Sequence, residues 1–214
     1  GASPVSASEE MDRVLPLVTR IAAEMETIIS VDTSSPEVMR ECAVAGAGLL
    51  NDVRALTREG ALEAAAASGL PICLMHMQGE PDSMQVAPHY DNVVQVVCEY
   101  LLSRVASCER QGITRDRLLL DPGFGFGKSV THNMQLLREL PRIAAIGFPL
   151  VVGLSRKSLI GKLLGREVGE RLPASIALAV LAAERGAAII RTHDVAETAD
   201  AVSMWTALEE CIPL

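Results

Sequence analysis

The chain has no excess of positive charge: 19 Lys and Arg stand against 27 Asp and Glu, for a formal net charge of -8. A field of that sign repels nucleic acid and acidic membrane surfaces, so neither is expected as a partner, and any anionic ligand must be gripped locally. No apolar run reaches the length of a membrane span, and residues 1–10 lack the basic-then-apolar order of a signal peptide, so the expected compartment is the cytoplasm. The five cysteines, Cys42, Cys73, Cys98, Cys108 and Cys211, are odd in number and show no CxxC or Cys/His ligand spacing. Reduced thiols are therefore expected, not disulfides or a zinc site. No linker, charge run or low-complexity tract marks a second domain, and 214 residues with 49% apolar content suit one domain with ample core.

What the chain does have is six short apolar runs, each ending in a polar or charged residue. They predict strands over 27–31, 49–53, 72–77, 118–120, 150–154 and 188–192, whose ends read Asp32, Asn51-Asp52, His76, Asp121, Ser155-Arg156-Lys157 and Arg191-Thr192-His193-Asp194. Helical spacing predicts helices over 8–24, 36–45, 61–68, 91–111, 131–140, 159–164, 173–185 and 197–209. Strands this apolar, alternating with helices, imply an α/β fold whose parallel sheet is covered on both faces or closed into a barrel. Such folds place their chemistry at the carboxyl ends of the strands. The irregular stretch 78–88 follows a strand end and holds two prolines and a glycine, which makes it a candidate lid, with a plain solvated loop as the alternative.

Positions two apart on a strand share a face, so Arg191 and His193 are expected to point together and form a clamp for phosphate or diphosphate. An arginine merely paired with a structural carboxylate is the competing account. Asp32 and Asp121 would face one another across a barrel mouth, where two carboxylates suit the paired N–H donors of a guanine-like or pterin-like ring edge. Asn51 adds an amide that can both donate and accept. Capping of the helix that begins at Pro36 is the plainer reading of Asp32. In the segment from Gly153 to Ser158, Lys157 can hold a carbonyl or ring nitrogen, or act as an amine nucleophile if burial lowers its pKa, and Ser155 can bind a carboxylate; exposed loop cations are the alternative. Phe124 and Phe126, two of three Phe in the chain, suggest an aromatic cover for a flat ligand, against simple packing on the rim. The glycine-rich loop that carries them lacks Walker spacing. His76 reads as a hydrogen-bonded core residue.

Six ordered segments then carry a resemblance: Ser30-Val31-Asp32-Thr33-Ser34, Asn51-Asp52-Val53, Leu74-Met75-His76-Met77-Gln78-Gly79, the run from Leu120 to Lys128, Gly153-Leu154-Ser155-Arg156-Lys157-Ser158, and Arg191-Thr192-His193-Asp194-Val195. Together they resemble dihydropteroate synthase over nearly the whole chain. The resemblance implies a TIM (β/α)8 barrel and a sulfonamide-inhibited transferase of folate biosynthesis, which joins 6-hydroxymethyl-7,8-dihydropterin diphosphate to p-aminobenzoate and releases diphosphate. It implies Asp121, Lys157, Arg191 and His193 as the catalytic set. Asp32, Asn51, Asp121 and Lys157 would hold the pterin, with Met75 beneath its ring. Arg191, His193 and Asn51 would hold the diphosphate, and Ser155, Arg156, Lys157 and Phe126 would line the p-aminobenzoate end. A Mg2+ cofactor and a homodimer are also implied, and the apolar stripe over 173–183 fits partner contact.

The family barrel has two further βα segments at its start, carrying a metal-binding Asn and a Ser-Thr-Arg-Pro-Gly-Ala loop, of which Gly1-Ala2 match only the tail. The expectation is thus an N-terminally truncated barrel of six βα units, with no Mg2+ ligand in this chain and turnover impaired or lost. The rival readings are a pterin-binding methyltransferase without the diphosphate clamp, an aldolase using Lys157, and a non-catalytic partner that keeps only the fold.

Overall fold

A computed structural model describes residues 5–79, 84 and 88–210. Its sheet is parallel throughout and contains β1 (Ser30–Asp32), β2 (Leu49–Asp52), β3 (Ile72–Met75), β4 (Leu118–Asp121), β5 (Leu150–Val152) and β6 (Ala187–Ile190). Each strand pairs with the next in chain order. A doubly wound sheet reverses its order at a switch point; this one never does, which is the winding of a TIM barrel, here six consecutive βα units curved into an open half-barrel. Among the described residues β1 and β6 each pair on one side only.

Helices intervene: α1 (Ala7–Glu24), α2 (Pro36–Val44), α3 (Ala61–Ser68), α4 (Val93–Arg110), α5 (Val130–Arg138), α6 (Leu140–Ala144), α7 (Ser158–Leu164), α8 (Leu172–Glu184) and α9 (Val195–Glu209). Their starts follow local chemistry. Pro36 sits in the first turn of α2, where its missing N–H costs nothing. Asn92 caps α4 by accepting from the Gln95 N–H at 3.1 Å. Ser129 and His132 form a reciprocal capping box at the start of α5.

The period-2 rule sorts the strand residues. Leu50, Ile72, Leu74, Leu118, Leu120, Leu150 and Val152 face the helices and form one buried core with Leu101, Val97 and Leu136. A second cluster puts Val31 and Ile29 against Val18 of α1 and Val38 and Cys42 of α2. The intervening residues are thereby turned to the concave face. Fully burying one such aliphatic side chain contributes roughly 1.5–3 kcal/mol.

Most expected elements are present within a residue or two. The first strand begins at Ser30, not at residue 27, because its partner starts at Leu49; Ile28 before it is 79% exposed despite its β-branched side chain. The helix expected over 131–140 is divided into α5 and α6, since Pro141 has no N–H to continue the ladder. Part of α8's apolar surplus is used internally: Ala179, Ala182 and Ala183 are buried, and α9 packs along the helix. Cys42, Cys73 and Cys108 are buried and Cys98 half-buried, all as free thiols, while Cys211 lies outside the described residues. So does most of the candidate lid over 78–88. No helix among the described residues is long and apolar enough to cross a membrane.

Candidate active site

The concave face holds a cavity of about 520 Å³ lined by Asp32, Asn51, Cys73, Val151, Ile189 and Arg191, among others. All six come from strands or strand ends, as the alternation requires. Asp32 aligns with Asn51, Asn51 with Cys73, and Met75 with Asp121. Asp32, Asn51 and Arg191 stand at or near the carboxyl ends of their strands; below them the wall is apolar apart from Ser30 at the start of β1. Cys73, fully buried among Asp121 and Asp32, has its thiol pushed well above the usual range, first by burial and then by those acids.

Asp121 is the buried carboxylate of this ring. Its Oδ1 accepts from the Gly123 N–H at 2.7 Å. Burial raises its pKa, opposed first by the Lys157 charge, then by the Gly123 bond, Lys128 and Arg191. Lys157 immediately precedes α7 and donates to the Phe124 carbonyl, with its ammonium 4.5 Å from the centre of the Phe126 ring. Burial lowers it to about 8, with Asp121 pulling the other way and Arg191 adding to the fall.

Asp32 is not a helix cap. Ser35 holds that position, and the Asp32 carboxylate instead meets Arg191, Nη2 to Oδ2 3.0 Å, across the gap between β1 and β6. The structural carboxylate partner envisaged for Arg191 is therefore real, and it is itself an expected ligand residue. Both side chains are well exposed, so the pair is worth at most about 1 kcal/mol and is easily exchanged for a ligand.

The expected common orientation of Arg191 and His193 is not what the contacts show. Strand β6 ends at Ile190, so alternation no longer governs these residues. Arg191 reaches Asp32, whereas the His193 ring Nδ1 lies 2.9 Å from Ser155 Oγ, and its backbone N–H donates to the same oxygen at 3.2 Å. Arg156, in left-handed backbone (φ 57°), makes a forked ion pair with Asp194. Of the two aromatics, Phe124 is wholly buried in the core, the packing account; only half-buried Phe126 remains available to a ligand. Met75 is buried next to Asp121 in the ladder.

Three functional supports escaped sequence reasoning. Asp52 is fully buried and accepts from Ser34 Oγ and from the backbone N–H of Arg54 and Leu56, both at 2.8 Å, holding the loop behind Asn51. Ala55 and Leu56 of that loop have positive φ, and Arg104 of α4 donates to both of their carbonyls. Lys128 and His76 are both buried and bonded to each other, which gives the core histidine its partner. The Asn51-Asp52-Val53-Arg54 order carries the signal of an Asx turn; Lys128 carries none beyond its place in the glycine-rich segment.

Polar and charged side chains ringed at the carboxyl ends of parallel barrel strands define the chain as a barrel enzyme with a site for a small polar ligand. Residues 1–193 match the family model described as pterin binding enzyme. The dihydropteroate synthase of Escherichia coli (strain K12) is 55% identical over 202 residues, covering 94% of this chain and 72% of that protein. A crystal structure of the Yersinia pestis dihydropteroate synthase with a sulfonamide drug complex superposes with a TM-score of 0.96 at 47% identity, covering 98% of this chain and 77% of that one. The Xanthomonas albilineans dihydropteroate synthase in complex with 7,8-dihydropteroate gives 0.92 at 48%, covering 100% and 78%. The chain belongs to the dihydropteroate synthase family.

Proposed function

We infer that this chain performs the synthase reaction: the p-aminobenzoate nitrogen attacks the exocyclic carbon of 6-hydroxymethyl-7,8-dihydropterin diphosphate, the C–O bond breaks with its electron pair leaving on diphosphate, and the arylamine loses a proton. The observation that carries this reading is the convergence of Asp32, Asn51 and Arg191 on one cavity, with Asp121 and Lys157 coupled to each other and to Arg191 beside it. An ionised Asp121 is acceptor-only and suits the N–H donors of the pterin's amidine edge. Lys157, mostly charged at neutral pH, favours the ionised form of that carboxylate and can meet a ring nitrogen or carbonyl. As the C–O bond breaks, ring-conjugated positive charge develops beside these acids, and the departing anion gains negative charge that Arg191 and His193 are proposed to stabilise.

Ser155, Arg156 and Phe126 are proposed for the p-aminobenzoate end, and a sulfonamide is expected to compete there. Among the described residues no three His, Cys, Asp or Glu side chains converge to hold a metal. Mg2+ is therefore proposed to arrive with the diphosphate, as this ion commonly does, and no step above depends on it. A cytoplasmic homodimer is proposed as well, supported by exposed Leu163, Leu164, Val168 and Leu181 around α7 and α8; only monomer in sedimentation at micromolar concentration counts against it.

The test is titration of the chain with a 6-hydroxymethylpterin and with pyrophosphate, followed by an assay for 7,8-dihydropteroate with Mg2+. Binding of both ligands, each weakened by Asp121→Asn or Arg191→Ala respectively, supports the reading. Absence of pterin binding overturns it.

A further inference from the structure

Lys128 takes no part in the chemistry above, yet it is only 3% exposed, and burial lowers its pKa to about 7, with Asp121 opposing the fall and Lys157 adding to it. Its ammonium donates to the Gly123 carbonyl at 2.9 Å, to the Phe126 carbonyl at 3.0 Å and to His76 Nδ1 at 2.9 Å. An ammonium has three N–H groups, and these three acceptors use all of them; the His76 carbonyl, at 3.4 Å, is a marginal fourth. With Lys128 in its ammonium form the count assigns the imidazole as well: Nδ1 accepts, and His76 is neutral with its proton on Nε2. Burial and the Lys128 charge act in the same sense, holding His76 down to about 3.

We propose that Lys128 is a positioning residue, fastening the glycine-rich loop after β4 to the end of β3 and thereby setting Asp121, Phe126 and Lys157 against the ligand. The acceptors belong to two different strand-end segments, one at residue 76 and the other at residues 123 and 126. Those segments touch: a methyl group on Gly123 would lie 1.8 Å from the His76 carbonyl oxygen. Tyr90 adds a further tie, its hydroxyl donating to the Gly127 carbonyl at 2.8 Å. What the loop presents is the site itself. Gly123 donates to Asp121, the Phe124 carbonyl accepts from Lys157, and the Phe126 ring lies under the same ammonium. Arg191 is held elsewhere, by Asp32 and by the end of β5, where its N–H donates to the Val152 carbonyl at 2.9 Å. Loosening the fastening therefore disturbs the pterin contacts and spares the diphosphate contact.

The proposal rests on the pterin reading of the site, and its test separates the two. Lys128→Met keeps the chain length and removes all three donors. Pterin affinity is expected to fall about 10- to 100-fold, the span of losing one or two charge-assisted hydrogen bonds, while pyrophosphate affinity stays within about 2-fold. Amide exchange over residues 122–128 should accelerate by on the order of 100-fold, with α4 amides unchanged. A wild-type chain that binds no pterin removes the reading of the ligand, and the exchange arm then decides the fastening alone. Unchanged exchange over 122–128, or equal weakening of pterin and pyrophosphate, overturns the proposal. Should Lys128→Met fail to fold, His76→Leu, which deletes one of the three acceptors, is read by the same two arms.

Discussion

Replacing Gly123 by alanine tests how tightly the β3 and β4 ends are joined. Two costs arise, and a second glycine separates them. Gly112, φ +85°, has nothing within 4 Å of where a methyl group would sit, so Gly112→Ala carries only the left-handed backbone penalty, about 1–2 kcal/mol. Gly123, φ +71°, carries the same penalty, but its methyl group would lie 1.8 Å from the His76 carbonyl oxygen, where real contacts essentially never fall below 3.0 Å. The two segments must part by about 1.2 Å at this point. Three hydrogen bonds span or anchor the contact: His76 N–H to the Asp121 carbonyl at 3.0 Å, Lys128 to the Gly123 carbonyl at 2.9 Å, and Gly123 N–H to the Asp121 carboxylate at 2.7 Å. Two involve a charged partner and are worth about 1.5–3 kcal/mol each, the third about 0.5–1.5. If relaxation preserves half of that sum, Gly123→Ala still costs about 2–4 kcal/mol beyond Gly112→Ala, a large share of the roughly 5–15 kcal/mol a domain has. Urea unfolding followed by circular dichroism measures both variants under one protocol. A difference between them below about 1 kcal/mol would refute the reasoning, because it would mean that the junction yields without loss.

Further expectations concern charge and loop support. His76, held near 3 against an ordinary 6.5, stays neutral in the fold while the unfolded chain takes up a proton, so stability should decline as pH falls from 6.5 toward 3, by at most about 1.4 kcal/mol per pH unit. His76→Asn, which keeps an acceptor for Lys128 but does not titrate, should flatten that decline in urea titrations between pH 6 and 4; parallel curves would argue against it. Arg104→Met strips the donors from the buried Ala55 and Leu56 carbonyls and should cost about 2–4 kcal/mol of unfolding free energy, with a loss under about 0.5 counting as failure. Asp32→Asn frees Arg191 from its exposed ion pair and should tighten pyrophosphate binding up to about 5-fold in calorimetry while weakening pterin binding; weaker pyrophosphate binding would contradict the competition.

The strand ends were legible because apolar runs in a parallel sheet stop where the polar site begins, and Asp32, Asn51, Asp121 and Arg191 duly stand there. Ile28 misled at the first strand because propensity says nothing of where a partner strand starts. Arg191 and His193 were set on one face by a rule that holds only inside a strand, and β6 stops one residue earlier. Phe124 and Phe126 look alike in sequence; only packing divides the core residue from the site residue. Lys128 and Asp52 stayed hidden, as did the partner of the core residue His76, for a different reason. Many of their partners are backbone carbonyls and amides of loops, which have no residue identity to read. The Asp32–Arg191 contact joins residues 159 positions apart and exists only after folding.

Two nucleophiles of the site therefore differ in reactivity, Cys73 on the cavity wall and Lys157 beside Asp121. The Cys73 thiol on the wall stays protonated at physiological pH, so a thiol-directed electrophile that enters finds nothing to alkylate. The Lys157 amine, near 8, is partly unprotonated under the same conditions. Occupancy of the pocket is thus better followed by protection from amine acylation than by cysteine labelling, and a covalent inhibitor for this scaffold has its warhead chosen by those two neighbours.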